Sequence, residues 1–290
     1  GCLTMKKDEK NSSPAKLSVS DSFTAKIIDR FLDYLKKASW SGRILKSEAL
    51  CGSVGLYGIY FIGVMGFVFA LCLPLKIPGF GFVPALLAGI CVLLAAVFLN
   101  FAAYKMLPSL KLLIDGTPVR ISSPAFFTVS AVFSGVVGLL VLASATVIAI
   151  QRGSFGSFVY GVFVFICAEY VMLLLLNPSV LKVEVVRNVS AGEEFIGILS
   201  FFMKAMLKLV PLIFAVAMLF GAYRIVAMIF TSYVNFQQFY GDVRVLYNAS
   251  MMALLPLSGY LLFLFYYFAI DLAKALLDIP GKLDKLNNSK

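Results

Sequence analysis

The sequence predicts an all-α, polytopic transmembrane helix bundle with about six spans. Its composition is the first reason, because 61% of the residues are hydrophobic and 14% are charged, against about 25% charged residues in a soluble domain. The second reason is that several charge-free stretches exceed the roughly 20 residues that cross a bilayer as a helix. A chain of 290 residues cannot bury this much continuous apolar sequence in a soluble core.

The N-terminal region precedes the spans and has two parts. Residues 1–20 have the polar composition of a disordered tail. From Asp21 to Lys37, apolar residues recur at helical spacing on one face and charged residues occupy the other, and Trp40 follows at a position that suits the headgroup layer. Residues 21–48 are therefore predicted to form an amphipathic interfacial helix with its linker, docked either on the membrane surface or on the protein's own helices.

Six spans follow from the gaps between charged residues, because a charge at the centre of a span costs about 2.5 to 3.5 kcal/mol. The first three gaps contain no charge, whereas the fourth and fifth contain Glu169 and Arg224 respectively. We predict spans at about 50–73, 80–104, 124–150, 154–176, 208–230 and 251–270, with a basic tail at 276–290.

The distribution of lysine and arginine predicts the orientation. If the N-terminus is inside, 21 of the 25 basic residues lie on the inner side, three lie outside and Arg224 lies within a span. This asymmetry follows the positive-inside rule. We therefore expect a multi-pass protein of the bacterial cytoplasmic membrane with both termini in the cytoplasm. The net charge of +10 does not indicate nucleic-acid binding, because the basic residues are dispersed beside the spans without a binding motif.

A second interfacial helix is predicted before the fifth span. The sequence Ser-Ala-Gly-Glu from Ser190 has the capping-box pattern that begins a helix. A helix over Ala191–Phe230 would be about 60 Å long, twice the hydrocarbon thickness. Pro211 interrupts the helical hydrogen bonds at the carbonyl of Leu207. We therefore predict an interfacial helix over 191–207, a break at the proline, and the fifth span beyond it.

A weak internal repeat follows the second and fourth spans. Leu99-Asn100 with Pro108-Ser109 resembles Leu176-Asn177 with Pro178-Ser179. A short β-prone stretch comes next in each case, at 112–114 and at 183–186. Duplication of a two-helix unit would explain the likeness, although Pro-Ser pairs also recur by chance.

Small residues in two spans indicate close helix packing in lipid. The alternative interpretation is a flexible gate or a substrate path, and we favour packing. The residues in question are Gly52, Gly55, Gly58, Gly63 and Gly66 in the first span, and Ala131, Ser134, Gly135 and Gly138 in the third.

The residue composition gives little support to enzymatic chemistry. The chain contains no histidine, which removes the commonest general base, the commonest metal ligand and every Ser-His pair. Neither G-x-x-x-x-G-K-[ST] nor G-x-G-x-x-G occurs in the sequence, and the five cysteines form no C-x-x-C pair. We therefore expect no catalytic residue, no metal site and no cofactor.

Charged residues in or beside the last three spans are the candidates for a functional site. A carboxylate within a span must be paired, hydrated or protonated, and the expected heights favour a contact of Glu169 with Lys208 over one with Arg224. The candidates are Glu169, Lys204, Lys208, Arg224 and Asp271.

Two functions remain open. The leading one is a non-enzymatic scaffold, anchor or assembly component, whose partners are the lipid bilayer and either other membrane proteins or further copies of the chain. The alternative is a small transporter or channel that uses Glu169 and Arg224.

The predicted orientation can be tested with single cysteines in a variant whose five native cysteines are replaced. In intact cells, a membrane-impermeant thiol reagent should label Gly241→Cys, because position 241 is predicted to lie outside. It should not label Ser12→Cys, Asn188→Cys or Asn288→Cys until the membrane is opened. Labelling of Asn188→Cys in intact cells would contradict the six-span topology.

Overall fold

Helices account for nearly all of the structure. The computed structural model describes residues 40–77, 79–117, 119–186, 191–231 and 236–287, together with Arg30. The described residues from Trp40 onward form one compact unit. The predicted polar tail and, apart from Arg30, the predicted amphipathic helix at 21–37 lie outside the described residues.

The described part of this unit contains seven α-helices and two short strands. The helices are α1 (Trp40–Lys76), α2 (Phe82–Gly116), α3 (Pro124–Arg152), α4 (Phe155–Leu176), α5 (Ala191–Phe230), α6 (Phe236–Met252) and α7 (Leu255–Asn287). The strands are β1 (Val119–Ile121) and β2 (Val183–Val185), and a 3₁₀ turn (Pro178–Leu181) precedes β2. All helices except α6 contain a segment long and apolar enough to cross a membrane. The prediction of an all-α, polytopic bundle with six spans is confirmed.

Local sequence explains the tight turn between α3 and α4. Pro124 occupies the first turn of α3, where its missing N–H costs no hydrogen bond and its fixed φ suits the helix. Gly153 ends α3 in the left-handed conformation, with φ at 60°, and its N–H donates to the carbonyl of Ala149. Helix α4 begins two residues later at Phe155, so α3 and α4 form a hairpin.

The two strands pair in parallel at one end of the bundle, which we call the strand end. Val119 lies opposite Val183, and Ile121 lies opposite Val185. The N–H of Val119 donates to the carbonyl of Lys182 at 3.3 Å. The β-prone stretch predicted at 183–186 corresponds to β2. The one predicted at 112–114 is wrong, because α2 continues to Gly116 and the strand forms only afterwards.

The order of elements repeats, although the sequence match that suggested a repeat is not structurally equivalent. A helix hairpin followed by a strand occurs twice, as α1-α2-β1 and as α3-α4-β2. Pro108, however, lies inside α2, whereas Pro178 begins the 3₁₀ turn after α4. The repeated unit is therefore visible in the topology and not in the Pro-Ser pairs.

Helix α5 is continuous, so the predicted break at Pro211 is wrong. The helix extends over 40 residues with the proline inside it. The predicted interfacial segment 191–207 is its first half, and much of that half is buried against other elements, including Phe201, Lys204 and Leu207. A proline is tolerated in a membrane helix where neighbouring helices support the backbone around it. Pro211 is buried in this way.

Helix α1 packs closely and in parallel against α5. A Cβ added at Gly55 would lie 2.3 Å from ring carbons of Phe214, and one added at Gly58 would lie 2.7 Å from Cβ of Met218. The later residue of α1 contacts the later residue of α5, so the two helices run in the same direction. A Cβ added at Gly63 would lie 2.5 Å from Cβ of Ala96 in α2. The glycines of the first span are therefore packing positions, as predicted.

The small residues of α3 pack in the same way against α4. A Cβ at Gly138 would lie 2.8 Å from Cβ of Ala168. The hydroxyl of Ser134 donates to the carbonyl of Ala168 at 2.8 Å. Helix α4 also contributes a glycine, because a Cβ added at Gly161 would lie 2.3 Å from Cβ of Ala145 in α3. These contacts hold α3 and α4 together at three points along the hairpin.

Helix α6 occupies most of the segment between the predicted fifth and sixth spans. The ring of Phe239 in α6 stacks on the ring of Phe69 in α1, with the ring centroids 6.4 Å apart. Ala249 is buried and approaches Gly221 of α5, where an added Cβ would be 3.1 Å away. Segment 236–252 is thus a helix packed on the bundle.

The contact between α1 and α5 gives a matched pair of alanine substitutions. Gly55→Ala should destabilise the protein by about 1–3 kcal/mol, because its methyl group would overlap the buried ring of Phe214. Gly42→Ala, in the same helix but with no atom within 4 Å, should leave stability unchanged or raise it slightly, because alanine favours helix. Thermal unfolding in detergent micelles measures both. Equal melting temperatures for the two variants would contradict the close approach.

Candidate functional site

The charged residues predicted as a site do not form a single cluster. Lys204 and Lys208 are one turn apart on α5. Arg224 is half-buried on the same helix, 16 residues further along and therefore about 24 Å away. Glu169 lies on α4, and Asp271 is exposed on α7. Only the two lysines are therefore neighbours on one helix.

Lys208 forms a buried ion pair with Glu48 of α1. Its Nζ lies 2.6 Å from Oε2 of Glu48, and the side chains are 2% and 15% exposed. The ammonium group donates a hydrogen bond to the carboxylate, so the pair links α1 to α5 by both charge and geometry. Burial makes each charge costly without the other.

The predicted contact between Glu169 and Lys208 is wrong. The partner is Glu48, which the sequence suggested was only the boundary of the first span. Because α1 begins at Trp40, Glu48 lies two turns inside a helix that runs parallel to α5. Glu169 instead faces α3, where its Oε1 would be 3.9 Å from a Cβ added at Gly135. Within the described part of the chain, no ion pair or hydrogen bond of Glu169 is present.

Lys204 is completely buried and bound to two backbone carbonyls. Its Nζ donates to the carbonyl of Leu181 at 2.9 Å and to the carbonyl of Thr117. Thr117 precedes β1 by two residues, and Leu181 precedes β2 by two residues. Since Val119 and Val183 are paired, the two carbonyls occupy equivalent places in the repeated units. Lys204 thus joins both units to α5.

Further contacts fix the first turns of α5 to β1. The hydroxyl of Ser122 donates to Oε2 of Glu194 at 2.5 Å. A Cβ at Gly197 would lie 2.3 Å from the carbonyl oxygen of Arg120. Only glycine allows the strand to come this close. The strand pair, the 3₁₀ turn and the start of α5 therefore form one connected layer at the strand end.

Lys76 binds the other end of α5. It is the last residue of α1, and its Nζ donates to the carbonyls of Met228 at 2.9 Å and Thr231 at 2.5 Å. The final carbonyls of a helix lack partners within the helix and carry partial negative charge. The ammonium group satisfies these carbonyls, so α1 is bound to α5 at both ends.

The cavities between the helices are mainly apolar. One of about 250 Å³ lies between α1, α2, α5 and α6, with Ile62, Val92 and Met218 among its lining residues. Another of about 330 Å³ lies nearer the strand end, between α1, α2 and α5. No group of three His, Cys, Asp or Glu side chains that could hold a metal ion occurs among the described residues.

Sequence reasoning missed Glu48 and the carbonyls that bind Lys204. A signal for Glu48 existed, because it is an acidic residue next to a long apolar stretch with basic residues on its flank. The partners of Lys204 are backbone carbonyls, which every residue has, so the sequence contains no signal for them. No protein family matches the sequence, and no curated protein or solved structure is significantly similar to it.

The ion pair predicts a non-additive pair of substitutions. Lys208→Leu and Glu48→Leu should each lower the free energy of unfolding by about 3–5 kcal/mol, because each leaves a buried charge without its partner. The double variant should be more stable than either single one. The exposed Lys46→Leu is the control and should change stability little. Denaturant unfolding in mixed micelles measures all four, and additive losses would contradict the pairing.

Proposed function

We propose that the chain is a non-enzymatic membrane scaffold, which anchors or helps to assemble other membrane proteins or copies of itself. The observation that carries the proposal is the role of three buried or partly buried lysines. Lys204, Lys208 and Lys76 all bind groups of the protein itself and hold α5 to its neighbours. Charges that serve an ion or substrate path would need to face a polar cavity.

The lipid-facing surface suits such a role. Helix α3 contacts α4 on one side and exposes large apolar residues on the other, such as Phe133 at 69% and Ile150 at 78% exposure. Lipid covers this surface when no protein does. A membrane scaffold needs accessible helix faces of this kind, because helices associate in lipid through close packing.

The proposed location is the bacterial cytoplasmic membrane, with both termini in the cytoplasm. The strand end is the side to which the positive-inside rule assigns most of the lysines and arginines. On this proposal the strand pair and the start of α5 face the cytoplasm, where they would meet soluble segments of partner proteins.

One observation favours the alternative, a small transporter or channel. Glu169 lies inside a span, is partly buried, and has neither an ion pair nor a hydrogen bond to any residue that the structure describes. A carboxylate in this setting could take up a proton or a cation. Arg224 would then contribute a second charge nearer the opposite end.

The two functions predict different results for purified protein. As a scaffold, the protein extracted in mild detergent should elute in a complex with a protein mass well above the 31.6 kDa of one chain. In liposomes it should produce no ion or proton flux above that of empty vesicles. A monomer in every mild detergent would contradict the scaffold.

Glu169→Gln separates the alternatives directly. On the scaffold proposal this variant folds, assembles and behaves in liposomes as the native chain does, because Glu169 has no ion pair or hydrogen bond to lose among the described residues. On the transport proposal the native chain shows a pH- or cation-dependent flux, and the variant loses it while remaining folded. Such a loss of flux would overturn the scaffold in favour of the transporter.

A further inference from the structure

A groove near the strand end has walls from three helices. It has a volume of about 330 Å³ and lies between α1, α2 and α5. Pro211 of α5 forms part of its surface, and Leu56 and Leu107 line it from α1 and α2. Leu45, 43% exposed, and Tyr104, 59% exposed, border it, so the groove is accessible from the surrounding lipid.

The depth of the groove fits one leaflet. Gly52 and Leu107 lie at the same height, because a Cβ at Gly52 would be 3.6 Å from Cδ1 of Leu107. Lys111 is four residues nearer the strand end on α2, and Leu56 is four residues deeper on α1. Four residues along each helix correspond to about 6 Å, so the distance in height from Lys111 to Leu56 is about 12 Å. This is within the roughly 15 Å that each leaflet contributes to the hydrocarbon layer.

The charge distribution along the groove is asymmetric. Lys111 is exposed and lines the end nearest the strand end. Glu48 also lines the groove, but its carboxylate is paired with Lys208 at 2.6 Å and is therefore neutralised. Gly52, Leu56 and Leu107 make the deeper part apolar. Among the described lining residues, the groove thus has one basic side chain, Lys111, at the strand end of an apolar slot.

We propose that this groove binds one anionic phospholipid from the leaflet at the strand end. The phosphate group contacts Lys111, and an acyl chain lies along Gly52, Leu56 and Leu107. Basic pockets between membrane helices recognise anionic headgroups in this way. A zwitterionic lipid gains less, because Glu48, the one carboxylate among the described lining residues, is already paired and cannot bind its ammonium group. The proposal does not rest on the scaffold function.

Native mass spectrometry of the full-length protein in detergent tests the headgroup contact. Phosphatidylglycerol and phosphatidylethanolamine with identical acyl chains are added separately. The native chain should bind one phosphatidylglycerol more tightly than phosphatidylethanolamine. Lys111→Gln should weaken phosphatidylglycerol binding about fivefold, the equivalent of the roughly 1 kcal/mol that one lysine contributes near an anionic headgroup.

Arg120→Gln is the matched control, since it removes an exposed cation at the same end of the bundle and outside the groove. It should leave the preference for phosphatidylglycerol intact. An unchanged preference in Lys111→Gln, or an equal loss in Arg120→Gln, would show that only the general surface charge attracts the lipid, and would overturn the proposal.

A second substitution tests the acyl slot independently. Ser53 is exposed and lines the groove, so Ser53→Phe should fill it and weaken the binding of both lipids. Ala143→Phe adds the same ring to an exposed position of α3 and should have no effect. Glycerol phosphate, which lacks acyl chains, should not compete. Competition by glycerol phosphate, or full lipid binding to folded Ser53→Phe, would also overturn the proposal.

Discussion

The buried ammonium group of Lys204 constrains the whole strand end. A charge out of contact with water is costly unless polar groups replace its hydration. The carbonyls of Thr117 and Leu181 do so, and they can reach Lys204 only if both connections approach α5 at the same point. Lys204 thus holds Thr117 and Leu181 side by side. Each lies two residues before a strand, so the two chain segments continue from there as the parallel pair β1 and β2.

Helix α5 is the centre of the fold because its contacts extend along its whole length. Near its start it is bound to both repeated units, in its middle to Glu48 of α1, and at its end to Lys76. Between these polar contacts, Phe214 and Met218 of α5 pack against Gly55 and Gly58 of α1. Support on several sides explains why Pro211 does not end the helix.

The spans were predictable because exclusion of charge from lipid acts on each residue separately. The charge gaps therefore located all six spans, and the small residues identified the closely packed faces. Properties that depend on two distant segments were not predictable. Glu48 and Lys208 are 160 residues apart, and either residue alone resembles an ordinary boundary charge. The three-residue strand β1 and helix α6 were missed because their stability comes from the elements they pack against.

The position of Lys204 in the chain has a consequence for biosynthesis. Thr117 and Leu181 precede it by 87 and 23 residues, so the ribosome completes both helix hairpins before the ammonium group exists. The hairpins must enter the bilayer as separate units, with their connecting carbonyls solvated by interfacial water. Arrival of the fifth helix then expels that water and joins them. The step that fixes the two hairpins to the fifth helix is therefore an exchange of solvent for a single amine, and a nascent chain stalled before residue 204 would lack this link.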